Sequence, residues 1–116
     1  MKLAEFYEKM GTDLGSVLSR IPSEKLVRKF VGKYPADPSY AQLNTAIEEG
    51  DWQTAFRAAH TLNGVAANLG MEELRQAASD LTENLRGGKP LSDPALLERV
   101  RTCHKKVVEL IGGLED

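Results

Sequence analysis

Apolar residues recur three and four positions apart along most of the chain, with polar residues between them. This spacing predicts amphipathic α-helices, since an α-helix turns about 100° per residue and so gathers such positions on one face. No segment alternates with a period of two, so strands are not predicted. The periodic positions form five groups outside the most informative helix: Leu14, Val17, Leu18 and Ile21; Leu26, Val27, Phe30, Val31 and Tyr34; Tyr40, Leu43 and Ile47; Leu74, Ala77, Ala78, Leu81 and Leu85; Leu97, Val100, Cys103, His104, Val107 and Ile111.

Residues that start and stop helices separate these groups. They are Ser23, Asp37-Pro38, Gly50-Asp51, Gly70, the loop at 87–90 and Asp93-Pro94. Ser or Asp is typical of the N-cap, Pro of the first helical position, and Gly of the residue just after a helix. Because short loops between long helices make consecutive helices antiparallel neighbours, we predict an all-α, up-and-down four-helix bundle. One or two short additional helices are expected on its N-terminal side.

The helix predicted from about Asp51 to Leu69 carries the candidate chemistry. Its apolar side, which must face the core, consists of Trp52, Ala55, Ala58, Ala59, Leu62, Val65, Ala66 and Leu69. His60 lies about 150° around the axis from the centre of that side, so its imidazole is predicted to be exposed.

Gly64 and Ala67 follow His60 on the same face, one and two turns later. A glycine within a helix lowers stability by about 1 kcal/mol relative to alanine. We interpret Gly64 as leaving an open space beside the imidazole, which lets another protein approach.

The other residues of this face are Gln53, Phe56, Arg57 and Asn63. An aromatic side chain beside an exposed histidine and a bare helix surface indicates a docking patch. The competing interpretations are a solvated histidine without a role, a Phe56 that folds onto a neighbouring helix, and a Gly64 required for close helix packing.

Composition narrows the class of protein. The 116 residues fit one domain, and 41% hydrophobic with 28% charged residues is typical of globular chains. The net charge is −2 with interspersed signs, so no nucleic-acid partner is expected. No apolar run approaches the roughly 18 residues of a membrane span, and the N-terminus lacks a signal-peptide core, so no membrane partner is expected.

Cys103 is the only cysteine, which excludes an internal disulfide and argues against a cysteine-based zinc site. We expect Cys103 to be a small buried residue in a reduced, cytoplasmic protein. His104 is expected to have a structural or surface role, because adjacent helical residues diverge too far to share a metal.

The segment from His60 to Gly70 resembles the signature of histidine-containing phosphotransfer (HPt) domains. That signature has histidine, then leucine, lysine and glycine at the second, third and fourth positions after it, and a further glycine at the tenth. Leu62, Gly64 and Gly70 match, and Ala59 before the histidine also matches. The resemblance implies that residues 1–116 form a single HPt domain that carries a phosphoryl group on Nε2 of His60. It also implies a response-regulator receiver domain or a sensor histidine kinase as partner, with no cofactor, metal or ATP site of its own.

Asn63 departs from this signature because it stands where the family has lysine. An exposed charge pair contributes only about 0–1 kcal/mol, so the change is expected to tune phosphotransfer, with Arg57 as a partial substitute. An alternative is a binding module that docks a receiver or kinase without being phosphorylated. A metal-binding bundle is disfavoured because no Glu-x-x-His occurs and His60 points outward. A monomer is expected, since no strong coiled-coil seam is exposed.

Overall fold

A computed structural model describes residues 1–115, and within this range the chain contains helices and no strands. The elements are α1 (Leu3–Lys9), α2 (Leu14–Leu18), α3 (Glu24–Lys33), a 3-10 turn (Tyr34–Ala36), α4 (Ser39–Glu49), α5 (Trp52–Asn68), α6 (Glu72–Leu85) and α7 (Pro94–Gly112). The prediction of an all-α fold is confirmed. No helix in residues 1–115 combines the length and the apolar character that crossing a membrane requires.

Helices α4 to α7 form the bundle. Helix α5 packs against α4 and α6, and α6 packs against α7. The bundle closes between α4 and α7, where the Tyr40 ring stacks on His104 and Arg101 Nε donates to Asn44 Oδ1 at 3.0 Å. Consecutive helices are therefore neighbours, as short connections require.

Side-chain caps fix the starts of α2, α3, α5 and α7. Ser23 Oγ accepts a hydrogen bond from the Leu26 amide at 3.2 Å, and Asp51 Oδ1 accepts one from the Thr54 amide at 3.2 Å. The sequence analysis expected Asp37 as the N-cap and Pro38 as the first helical residue of α4. The helix instead begins one residue later, at Ser39. The Asp37 carboxylate accepts from the Ser39 amide at 2.9 Å, which is the geometry of an Asx turn two residues ahead.

Three α-helices precede the bundle, one more than the sequence analysis expected. The additional one is α1, whose buried Leu3, Phe6, Tyr7 and Met10 follow helical spacing. Gly11, with φ of 76°, ends this segment, and Asp13 caps α2 through the Gly15 amide. The sequence analysis missed α1, which is a helix of only seven residues.

The N-terminal helices are held against the end of α5. Tyr7 donates its hydroxyl hydrogen bond to the Leu69 carbonyl at 2.6 Å, and burial raises the pKa of Tyr7 to about 12. Arg20 Nη2 donates to the Ala67 carbonyl at 3.1 Å. These contacts place α1 and the segment after α2 beside the C-terminal turn of α5.

The predicted apolar side of α5 faces the core. Ala55, Ala58, Ala59, Leu62, Ala66 and Leu69 are buried. Trp52 and Val65 are half-buried because they lie at the two margins of that side. We expected Cys103 to be buried, but it is half-buried. Its Sγ atom lies 3.8 Å from the Glu73 carbonyl oxygen, where α7 contacts α6.

Candidate functional site

The outward face of α5 is the candidate site. His60, Gln53, Arg57 and Gly64 are exposed, whereas Phe56, Asn63 and Ala67 are half-buried. The predicted exposure of His60 is confirmed, and it follows from the position of His60 opposite the buried alanines. The structure therefore brings all seven predicted site residues to one face.

The His60 imidazole has one neighbouring ring. Phe56 stacks on it with 6.2 Å between ring centroids and 15° between planes. Thr54, Arg57 and Thr61 make the hydrogen bonds that involve side chains of α5 near His60, and none of these bonds involves a His60 ring nitrogen. Phe56 itself packs partly against the core, so it both folds toward a neighbouring helix and supports one side of the imidazole.

Gly64 leaves the surface one turn beyond His60 open. A Cβ atom built on Gly64 meets no atom within 4 Å, apart from the helix's own backbone. Close helix packing therefore does not explain this glycine. A bare helix backbone at this position permits close approach from outside the chain.

Gln53 forms the border of the face at the start of α5. The loop after α6 comes close to it, since a Cβ built on Gly88 would lie 2.5 Å from Gln53 Oε1. Gly88 has a φ of 76°, which favours glycine, and this conformation lets the loop pass close to the side chain.

Two arginines flank the face in different ways. Arg57 Nη2 donates to Thr54 Oγ1 at 3.4 Å, a weak contact within α5. Arg86, from the end of α6, has its guanidinium carbon 5.5 Å from the centroid of the Phe56 ring. The sequence analysis missed Arg86, because only the antiparallel register of α5 and α6 brings these residues together.

The second histidine has an enclosed environment. His104 Nδ1 lies 2.7 Å from the Tyr34 hydroxyl, and Tyr40 stacks on the ring at 3.5 Å with 7° between planes. Burial lowers the pKa of His104. Its contacts join the 3-10 turn, α4 and α7, which is a structural role.

Comparison with known protein families identifies the class of domain. A family model of the Hpt domain matches residues 25–110. No curated protein and no solved structure matches the chain significantly. The matched range runs from α3 to the last turns of α7 and includes the whole of α5. The chain therefore belongs to the Hpt domain family, whose members are phosphocarrier modules of two-component and phosphorelay signalling.

Proposed function

We propose that this protein is a phosphorelay intermediate that carries a phosphoryl group on His60. The group comes from the phosphorylated aspartate of a receiver domain or from a sensor histidine kinase, and it passes to a response regulator. The observation that supports this proposal best is the contrast between the two histidines. His60 presents an open imidazole on the outer face of α5, whereas His104 has Nδ1 occupied by Tyr34 and one ring face covered by Tyr40.

The proposed step is a direct displacement at phosphorus. A neutral imidazole has one ring nitrogen with a free lone pair, which we assign to Nε2 of His60. This nitrogen forms the N–P bond while the P–O bond of the aspartyl phosphate breaks, and the carboxylate leaves with the electron pair. Such transfers depend mainly on positioning and on neutralisation of the phosphoryl charge.

The neighbours of His60 supply the positioning. The reacting atoms must approach to about 3–3.5 Å, so the partner's backbone has to enter the space above Gly64. Phe56 stacks on the imidazole and limits its rotation. Phe56 and Ala67 give the partner apolar contacts, and Gln53, Arg57 and Asn63 give it hydrogen bonds at the margin.

Asn63 supports a second candidate function. With no charge at the position of the family lysine, the face is able to dock a receiver or kinase without stable phosphorylation. The amide of Asn63 donates a hydrogen bond but neutralises no charge.

Phosphorylation by a labelled receiver or kinase tests the first function. We expect label that is acid-labile and base-stable, that is absent in His60→Ala and that remains in His104→Gln. Label retained in His60→Ala would contradict the proposal. Binding of the partner without label in the wild-type chain would instead identify the docking function.

Location and assembly complete the proposal. A cytoplasmic location fits a chain with a single cysteine, which forms no internal disulfide. We also propose a monomer, which sedimentation equilibrium would measure as the 12.7 kDa mass of one chain.

A further inference from the structure

Arg86 reaches the His60 face from a different helix because of how α6 ends. The helix stops at Leu85, and Arg86 already has the extended backbone conformation, with φ of −56° and ψ of 135°. Gly87 and Gly88 follow with φ of 79° and 76°. The chain therefore turns away at once, and the Arg86 side chain extends over the Phe56 ring of α5.

Arg86, Phe56 and His60 form a stack across the two helices. The guanidinium carbon is 5.5 Å from the Phe56 centroid, which is within the range of a cation–π contact. The Phe56 centroid is 6.2 Å from that of His60. Together these distances limit the separation of guanidinium and imidazole to little more than the Debye length of about 10 Å at 0.1 M salt. At this separation much of the interaction between two exposed charges is screened, so Arg86 has to move closer to act on a group bound to His60.

Arg86 forms an exposed ion pair with Glu83 that a phosphoryl group is able to displace. It donates to both carboxylate oxygens of Glu83, at 2.6 and 2.9 Å, and these hydrogen bonds lower the pKa of Glu83. Both side chains are more than half exposed, and exposed ion pairs are weak. A phosphoryl group has up to two negative charges and three acceptor oxygens, so it competes well with one carboxylate for the planar guanidinium.

We propose that Arg86 is the cation that neutralises the phosphoryl group on His60, in place of the charge that Asn63 lacks. This inference rests on the proposed function. Arg57, whose guanidinium makes a weak contact with Thr54, is the competing cation, and the test below includes it. On phosphorylation, Arg86 releases Glu83, and its side chain turns past the edge of the Phe56 ring to reach the phosphoryl oxygens on His60.

The test measures the phosphoryl charge directly. Phosphoramidate, a small phosphoryl donor, loads His60 without any partner protein, and phosphorus NMR follows the second ionisation of the phosphohistidine with pH. We expect Arg86→Gln to raise the pKa of the phosphoryl group by about 0.7, the effect in water of losing one charge at about 4 Å, whereas a charge at about 10 Å accounts for only about 0.3. Glu83→Gln should lower that pKa, since it removes a competing carboxylate.

Two further variants complete the test. Arg99→Gln is the matched control, because Arg99 pairs with Asp80 at the α6–α7 side of the bundle, and it should leave the phosphoryl pKa unchanged. Arg86→Lys keeps the charge and should stay close to the wild-type value, while circular dichroism checks that each variant is folded.

The outcomes separate the two proposals. Identical titration curves for the wild type, Arg86→Gln and Arg99→Gln overturn the role of Arg86 and leave the phosphorelay proposal standing. A larger effect of Arg57→Gln than of Arg86→Gln also overturns it. Failure of phosphoramidate to modify His60 in the folded chain overturns the phosphorelay proposal and this inference with it.

Discussion

His60 and His104 are the same side chain in opposite surroundings, and their neighbours decide what each is able to do. His60 is exposed and touches one aromatic ring, whereas His104 is stacked on Tyr40 and hydrogen-bonded to Tyr34. An accessible nitrogen lone pair is the requirement for nucleophilic attack. The accessibility of an imidazole in this chain is therefore a property of its position on the helix.

Gly64→Ala should separate stability from function. The added methyl group meets no atom within 4 Å of the folded chain. Alanine is about 1 kcal/mol more favourable than glycine within a helix, so Tm should rise by about 4 °C. The same methyl group lies in the partner's approach path, so kcat/KM for transfer from a phosphorylated receiver should fall about tenfold.

Gly32→Ala provides the matched control for this prediction. Gly32 is in α3, and a Cβ there also meets nothing within 4 Å. Calorimetry should show a similar or smaller gain in Tm, and transfer should be unchanged. Equal transfer rates for Gly64→Ala and the wild type would show that the partner does not use the space above His60.

At the scale of elements, the two signature glycines serve different purposes. Gly64 is open to solvent, whereas Gly70, between α5 and α6, is buried with φ of 71°. A Cβ on Gly70 would lie 2.4 Å from Cγ2 of Val17, which is fully buried in α2. Gly70 therefore allows α2 to pack against the α5–α6 connection, and its role is in the fold.

Gly70→Ala should destabilise the protein more than Gly50→Ala. Both residues have φ near 70°, but a Cβ on Gly50 meets nothing within 4 Å. We expect Gly50→Ala to cost about 1 kcal/mol from backbone strain alone. Gly70→Ala should cost about 2–4 kcal/mol, since the stiff Val17 side chain must also move. Urea denaturation measures both values, and equal costs would refute the packing role of Gly70.

At the scale of the whole molecule, His104 joins the N-terminal part of the chain to the bundle. Tyr34 follows α3 directly and bonds to His104 Nδ1, while Tyr40 of α4 covers the ring. Three separate parts of the chain therefore meet at one half-buried imidazole. Burial lowers the pKa of His104, so the folded state favours its neutral form.

This burial predicts a dependence of stability on pH. An unfolded histidine titrates near pH 6.5, whereas folded His104 takes up its proton only at lower pH. Between these two values the unfolded chain binds more protons, so the free energy of unfolding should fall as pH decreases from about 7 through 6.5. Burial raises the pKa of the neighbouring Tyr34 phenol, which therefore stays neutral over this range. The charge on Asp37 raises the pKa of Tyr34 further.

Urea titrations at several pH values test this dependence. His104→Gln should be less stable than the wild type at pH 7 and should show a smaller decrease between pH 7 and 5.5. An equal decrease in His104→Gln and in the wild type would assign the effect to other groups. The carboxylates Asp51, Asp80 and Glu83 have lowered pKa values, so their contributions are lost only in more acidic solution.

The sequence by itself determined the features that depend on near neighbours in the chain. Helical spacing and caps follow from residues within a few positions of each other, and so does the outward direction of His60 and Gly64 on α5. Only the tertiary structure decided that Arg86 lies over Phe56, that Gly70 faces Val17, and that Tyr34 and Tyr40 enclose His104. These contacts join residues far apart in the chain, and they depend on the register and packing of helices, which periodicity along one helix does not specify.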